Sequence, residues 1–452
     1  MNLWSVTALG IGAMVGAGIF AVLGQAAVIA GRDTYLAFML GGGVAALSGY
    51  SYAKLAVRYP DAGGVSEYFD RAFGAARLSG CLSLIYMFTI AVTVALVAKA
   101  FGAYAAPLVF GDSHRLWVNI FASAIVVLLT LLNVQGSGLV GRAEVVLVGI
   151  KLVILTGLMI AGALSLEHAA PIAQQPVGPI GVVGAVGLTF LAYAGYDNTA
   201  NAASSVANAH KTIPRAMSLA IGAVILLYVG LSLVVLASVP AAQLALHSDT
   251  AVAEAARPIL GQAGYVVVSV GALLATASGI NAWIFNGMNI SLSLSNAGQL
   301  PHLFTQVVWR NGTRGVLVSV AAILLVLNAF DLGALTRLAS AGFLITYLGV
   351  QVAHWRLLRE TKASKVLVAA GFVALATVLG CFLWTTAAAQ PWSMALMAAL
   401  IIVSWIVETA LMPKAAALTR LDRHSDSPST SPAAPVSRLR DQRAAITHDE
   451  LR

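Results

Sequence analysis

Residues 9–21 read Leu9-Gly-Ile-Gly-Ala-Met-Val-Gly-Ala-Gly-Ile-Phe-Ala21 and lie inside the first long apolar run of the chain. Gly10, Gly12, Gly16 and Gly18 fall within nine residues. Each glycine weakens a helix interior by roughly 1 kcal/mol relative to alanine. Four so close together predict a helix that opens near the middle of a membrane span. Non-helical backbone at that depth is tolerated only where protein buries it or where it lines a cavity. An opened helix also offers free N–H groups at one half-helix end and free C=O groups at the other, suited to a carboxylate and an ammonium. The stretch therefore reads as an amino-acid site built from main chain.

Three plainer readings compete. Gly12-x-x-x-Gly16 matches a helix-packing face. Gly16-Ala-Gly-Ile-Phe-Ala21 matches the dinucleotide pattern G-x-G-x-x-A, but only Met1–Ala8 precede the quoted apolar stretch, and the preceding strand and βαβ unit that motif requires are missing. A cleaved signal peptide would need a basic segment ahead of the apolar run, and none is present.

Composition excludes an ordinary soluble domain. The chain is 59% hydrophobic and 10% charged, with a mean hydropathy of +0.86. Uncharged stretches of membrane length recur, and a span needs about 20 apolar residues. Twelve spans are expected, at 5–30, 35–57, 79–107, 116–134, 144–165, 180–206, 216–239, 262–296, 314–330, 334–355, 366–387 and 391–412. Loops on one side carry thirteen Lys and Arg, against Arg32, Arg115 and Arg257 on the other. The bias sets an orientation with the N-terminus, and after an even number of spans the C-terminus, in the cytoplasm. Basic residues so placed are topology signals, which removes nucleic acid as a partner. The two cysteines, Cys81 and Cys381, have no disulfide or metal spacing. Residues 413–452, with the Ser/Pro-rich stretch 425–435, read as a disordered cytoplasmic tail.

A second interruption stands in the sixth span, at Thr189-Phe-Leu-Ala-Tyr-Ala-Gly-Tyr-Asp-Asn198, around Gly195. Two interrupted helices, each opening a set of five, point to an inverted-repeat transporter with substrate between the breaks.

These features together resemble the amino acid–polyamine–organocation superfamily, and its amino acid permeases in particular, over about residues 5–412. Gly10–Phe20 is similar to the family's first-helix motif. Tyr59-Pro-Asp-Ala-Gly-Gly-Val-Ser-Glu-Tyr68 with Ala72-Phe-Gly74 resembles its first cytoplasmic loop. Phe190–Asp197 and Asn208-Ala-His-Lys-Thr-Ile-Pro-Arg215 resemble its sixth helix and following loop, and Asn296-Ala-Gly-Gln-Leu-Pro301 the loop after helix 8. The resemblance implies an all-α polytopic membrane protein of about twelve helices with a five-plus-five inverted-repeat (LeuT-type) fold. Helices 1 and 6 are broken, 5–165 and 180–357 are the repeats, and 366–412 are two extra helices. It implies that N–H groups of Val15, Gly16, Ala17, Gly18 and Ile19 hold the substrate carboxylate. Carbonyls of Gly12, Ala13 and Met14, and those around Phe190–Tyr193 beside Gly195, hold the α-amino group. Ser204-Ser205 departs from the acidic pair that many relatives carry after helix 6.

Lys151 lies about eight residues into span 5, where an unpaired ammonium is costly. The resemblance places it against the first break and helix 8, where a sodium ion sits in sodium-coupled relatives. Lys151 is then expected to bond carbonyls of Gly12–Val15 and the hydroxyl of Ser278, and to couple transport to protons. Asp197, just past the second break, is either a proton-sensing carboxylate or the N-cap of the distal half-helix. Tyr193 is the aromatic expected to cover bound substrate, with Phe190 and Tyr196 beside it. Asn281, Asn286 and Asn289 read as bonds between helices. Lys99 reads as snorkelling. Glu67, Asp70, Arg71 and Arg58 read as loop charges, or with Arg215 as an inner gate.

No catalytic motif and no Walker A sequence is present, so an enzyme or an ATP-driven pump has no support, and no cofactor or metal is implied. The expectation is a plasma-membrane secondary transporter of small neutral amino acids, independent of Na+, with H+ symport leading and exchange second. A basic amino acid or polyamine substrate stays open, as does a transporter-like nutrient sensor. Oligomeric state is not legible.

Overall fold

The computed structural model describes residues 1–60, 64–74, 77–135, 140–165, 178–206, 208–296, 299–300, 304, 306–309 and 312–411. The expected tail at 413–452 lies outside the described residues, as do parts of the loop motifs around Asp61 and Pro301.

Helix termini follow local chemistry. Asn2 caps α1 (Leu3–Ala17) by accepting from the Ser5 amide at 2.9 Å. A second helix, α2 (Ile19–Ala30), follows after Gly18 alone, and the pair bends by 51°. Next come α3 (Thr34–Arg58), the amphipathic α4 (Val65–Phe73) between Gly64 and Gly74, α5 (Arg77–Phe110), α6 (Arg115–Gln135) and α7 (Val140–Ser165). Gly64 and Gly74 both take positive φ, the turn conformation that glycine adopts without strain. Proline at the first position opens α8 (Pro179–Ala192). Four turn residues separate it from α9 (Asp197–Asn201).

The second half continues with α10 (Ala209–Ser238), α11 (Ala241–Leu246) and α12 (Ala251–Asn296), the last kinked at Gly261. A two-stranded antiparallel pair, β1 (Val307–Trp309) and β2 (Gly312–Thr313), leads into α13 (Arg314–Ala329). Asp331 caps α14 (Leu332–Arg356) by accepting from the Ala334 amide at 2.7 Å. Then follow α15 (Leu358–Thr361), α16 (Lys365–Ala389) and α17 (Pro391–Leu411).

Among the described residues ten helices are long and apolar enough to cross a membrane, or eleven with the bent pair α1–α2 counted as one span. The expected ninth span is α13, whose 16 residues reach about 24 Å, short of a full hydrocarbon core. The fold is all-α and polytopic, as the sequence implies. Two boundaries shift. α10 starts at Ala209, ahead of Pro214, which the helix carries as its sixth residue at the cost of one backbone hydrogen bond. The kink at Gly261 joins a preceding segment to span 8. The amphipathic α4 and the β pair were not anticipated. Packing is organised by α3 along α10 and α8, and by α5 along α12, α14 and α6. The α1–α2 bend and the α8–α9 interruption lie within this core.

Candidate substrate and coupling site

The first break is narrow. Gly10, Gly12 and Gly16 all lie within α1, and only Gly18 stands between the helices, a bend whose backbone stays in the right-handed region. Its amide closes α1 on the Met14 carbonyl at 3.0 Å, and its carbonyl accepts from Val22 at 3.0 Å. The amides of Val15, Gly16 and Ala17 are therefore inside a helix, and Ile19 opens α2. The first amides of a helix have no partner within it, and a negative group is favoured at such an end.

Glycine is required there by proximity rather than by φ. A Cβ on Gly18 would run into the Ala192 backbone, so the two breaks touch at this point. A Cβ on Gly16 would lie 2.7 Å from the Gly279 Cα of α12. Gly16 thus also serves as a packing position against α12. On the other side, Gly195 has φ +117°, open to glycine and hostile to other residues. A Cβ at Gly195 would sit 3.0 Å from the Ala13 carbonyl carbon.

Lys151 is fully buried in α7. Its ammonium donates to the Gly12 carbonyl at 2.8 Å and to Ser278 Oγ at 3.3 Å, joining α7, α1 and α12. A buried cation is tolerated only with such compensation. Tyr228 of α10 was not singled out from sequence, yet it bonds both breaks. Its hydroxyl donates to the Met14 carbonyl at 2.9 Å and reaches the Ala192 carbonyl at 3.3 Å. A lone tyrosine in the uncharged run 216–246 was the available signal.

The second break is held by side chains. Tyr193 caps α8 and donates to the Phe38 carbonyl at 2.8 Å, while Thr189 donates to Ala37 at 2.7 Å. Asp197 is buried at the start of α9, where Tyr196 occupies the N-cap position. Its carboxylate accepts from Tyr86 of α5 and, at 3.0 Å, from Tyr347 of α14. Asn286 of α12 reaches the Tyr86 hydroxyl at 3.5 Å. Neither Tyr86 nor Tyr347 was legible as a partner, because the contacts span 111 and 150 residues. Phe190 and Tyr196 pack edge-on or tilted against Tyr347, with ring centroids 5.7 and 5.3 Å away. Met14, Val15, Ile19, Phe190 and Tyr193 are all buried.

Around this centre, Asn281 accepts from Asn133 at 2.7 Å, a bond between helices as anticipated. Asn289 is exposed instead. Lys99 does not snorkel. It is buried and donates to Asn119 and, at 3.1 Å, to the Leu327 carbonyl. Leu327 stands in the last turn of α13, whose free carbonyls favour a cation. Among the loop charges, Glu67 pairs with Arg71 at 2.6 Å within α4, and Asp70 accepts from Ser79 at 2.5 Å and Gln299 at 3.3 Å. Tyr59 donates to Glu360 at 2.5 Å, and burial with that bond pushes its phenol up to about 12. None of these pairs involves Arg215.

The amino acid permease sequence profile matches residues 1–416. The chain belongs to the amino acid permease family. It is 42% identical over 386 residues to the inner membrane transport protein YbaT of Escherichia coli, covering 85% of this chain and 90% of that protein. It is 34% identical to an uncharacterized protein of Methanocaldococcus jannaschii, over 85% of this chain and 88% of the relative. The methylthioribose transporter of Bacillus subtilis is 25% identical, over 85% and 87% respectively. This permease is a multi-pass membrane transporter and not an enzyme.

Proposed function

We propose that the chain is a secondary active transporter that takes up small neutral amino acids by alternating access, without Na+ and with proton coupling. The observation that carries this reading is the Lys151 ammonium on the Gly12 carbonyl and Ser278. A fixed cation bonded to main chain at the first break does the electrostatic work a bound sodium ion would do. The substrate carboxylate meets the amide end that begins at Ile19, and its ammonium meets carbonyls at the C-terminal ends of α1 and α8.

Protons are the coupling ion in this reading, with Lys151 and Asp197 as the groups that exchange them. Asp197 is engaged by two tyrosines, which favours a coupling or closing role over pairing with a second ammonium on a basic substrate. Residues 5–165 and 180–357 form the two inverted repeats and 366–412 the additional helices. Both termini face the cytoplasm, from the positive-inside bias, and the location is the cell membrane. A second substrate reading rests on the relative named a methylthioribose transporter: that thiosugar lacks the carboxylate and ammonium a main-chain site would hold.

Uptake of labelled neutral and basic amino acids and methylthioribose into sodium-free proteoliposomes, with and without an alkaline interior, tests this. The expected result is accumulation of a neutral amino acid driven by the pH gradient and lost in Lys151→Ala. Exchange of preloaded substrate without response to pH makes the chain an exchanger. Strict Na+ dependence overturns the lysine assignment. Binding without flux identifies a sensor.

A further inference from the structure

A cavity of about 130 Å3 lies away from both breaks, between α5, α6, α12 and α13. Met87 and Ala91 of α5, Trp283 and Gly287 of α12, and Val318 and Ala322 of α13 line it. The lining is largely apolar, with the Trp283 indole N–H buried beside it and without a partner among the described residues. Of its three hydroxyls, Thr130 is already bonded to Val126 at 2.7 Å and Ser291 to Met288 at 2.9 Å. Apolar cavities of about 150 Å3 stay dry and accept benzene-sized guests, so this one suits a few methylenes. Its α13 wall is part of the outer surface, where Leu317, Val318 and Ala322 are exposed. On a polytopic membrane protein such a surface meets lipid.

A charge stands at the start of the helix that forms this wall. Arg314 is exposed at the first position of α13, one turn before Val318. A cation at a helix N-terminus opposes the helix dipole, whereas an anion there is favoured by both dipole and arginine. Charge and cavity share one helix, and the positive-inside orientation proposed above places its start at the cytoplasmic leaflet. We infer that this is a binding site for an anionic phospholipid of that leaflet, with its phosphate on Arg314 and part of an acyl chain in the cavity.

The site reaches the centre of the molecule through one side chain. The Trp283 ring lies 5.4 Å from Phe343, and Phe343 lies 6.4 Å from Tyr86 and 5.5 Å from Tyr347. Tyr86 and Tyr347 are the two donors to Asp197. A seated chain therefore bears on the residues that hold the second break.

Tryptophan quenching by chain-brominated lipid tests the assignment independently of transport. The full-length protein is placed in vesicles of phosphatidylcholine containing either brominated phosphatidylglycerol or brominated phosphatidylcholine. The Trp283 signal is the difference between wild type and Trp283→Phe. Brominated phosphatidylglycerol is expected to quench it at about fivefold lower mole fraction, the preference one basic residue confers near a membrane surface. Arg314→Gln should abolish that preference. Where Trp283→Phe fails to fold, Ala322→Met narrows the entrance from the exposed helix and keeps all eight tryptophans. It should remove the preferential quenching seen in wild type. Equal quenching by both lipids, or none, overturns the site. A dimer by native mass spectrometry with no quenching assigns this face to a second copy and overturns it as well.

Discussion

The two breaks do the same topological job with opposite materials. The first is made of glycine and main chain: Gly18 closes α1 on Met14, Gly16 lies on Gly279, and outside groups reach in to bond carbonyls. The second is made of large polar side chains, with Tyr193, Asp197, Tyr86 and Tyr347 each bonded to a named partner. A main-chain site recognises what all amino acids share and leaves little for substitution to tune. A side-chain site is tunable, and its hydroxyl and carboxylate partners are the groups whose bonds change with protonation. In the function proposed above, main chain at the first break carries most of the recognition, Lys151 beside it and Asp197 at the second break share the coupling, and the side chains of the second break carry closure.

The sharpest way to break this contrast is to add one methyl group to the first break. Gly18→Ala would place its Cβ against the Ala192 backbone, where the three nearest atoms are all main chain and none can swing aside. Overpacking of this kind costs about 1–3 kcal/mol even where some repacking is available. Transport is expected to fall below detection while the purified protein keeps its helical circular dichroism. Retained uptake would mean that the breaks separate during the cycle without meeting in the way seen here.

Asp197→Asn probes the other side with a smaller expected effect. Asparagine keeps one acceptor for a tyrosine hydroxyl and offers an amide donor to the other, so the α9 anchor should survive. Substrate binding by the detergent-solubilised variant is expected to stay near wild type, while the pH dependence of uptake flattens. Loss of folded protein instead would make Asp197 structural and undo the division of labour between the breaks.

Much of this was readable from the chain alone, and the reasons differ by region. Hydropathy marks the helices because each span must satisfy its backbone internally and face lipid. Glycine clustering marks the first break because glycine is conspicuous. Its width was overestimated: four glycines look like a wide opening, but Gly10 and Gly16 are explained by close packing on Thr199 and Gly279 and remain helical. Lys151 stands out since charge at that depth requires a partner. Tyr86, Tyr228 and Tyr347 do not stand out, because tyrosine is common in membrane helices and its partners come from distant helices. Lys99 misled for a related reason: distance to a span end is visible in sequence, and the carbonyls at the end of α13 are not.

The finest test lies where the two materials meet. The Tyr228 hydroxyl donates to Met14 at 2.9 Å in the first break and reaches Ala192 at 3.3 Å beside the second. Tyr228→Phe removes that bond and preserves the ring, which packs 5.2 Å from Tyr193 and 5.8 Å from Phe38. One lost hydrogen bond with its acceptor left buried costs about 1 kcal/mol, enough for a several-fold change and not for misfolding. If main chain at the first break sets recognition, the Met14 carbonyl, left with the Gly18 amide alone as donor, should alter substrate affinity. KM is then expected to shift several-fold while the pH profile, set by Lys151 and Asp197, stays in place. A moved pH profile with an unchanged KM would show that Tyr228 serves coupling instead of recognition.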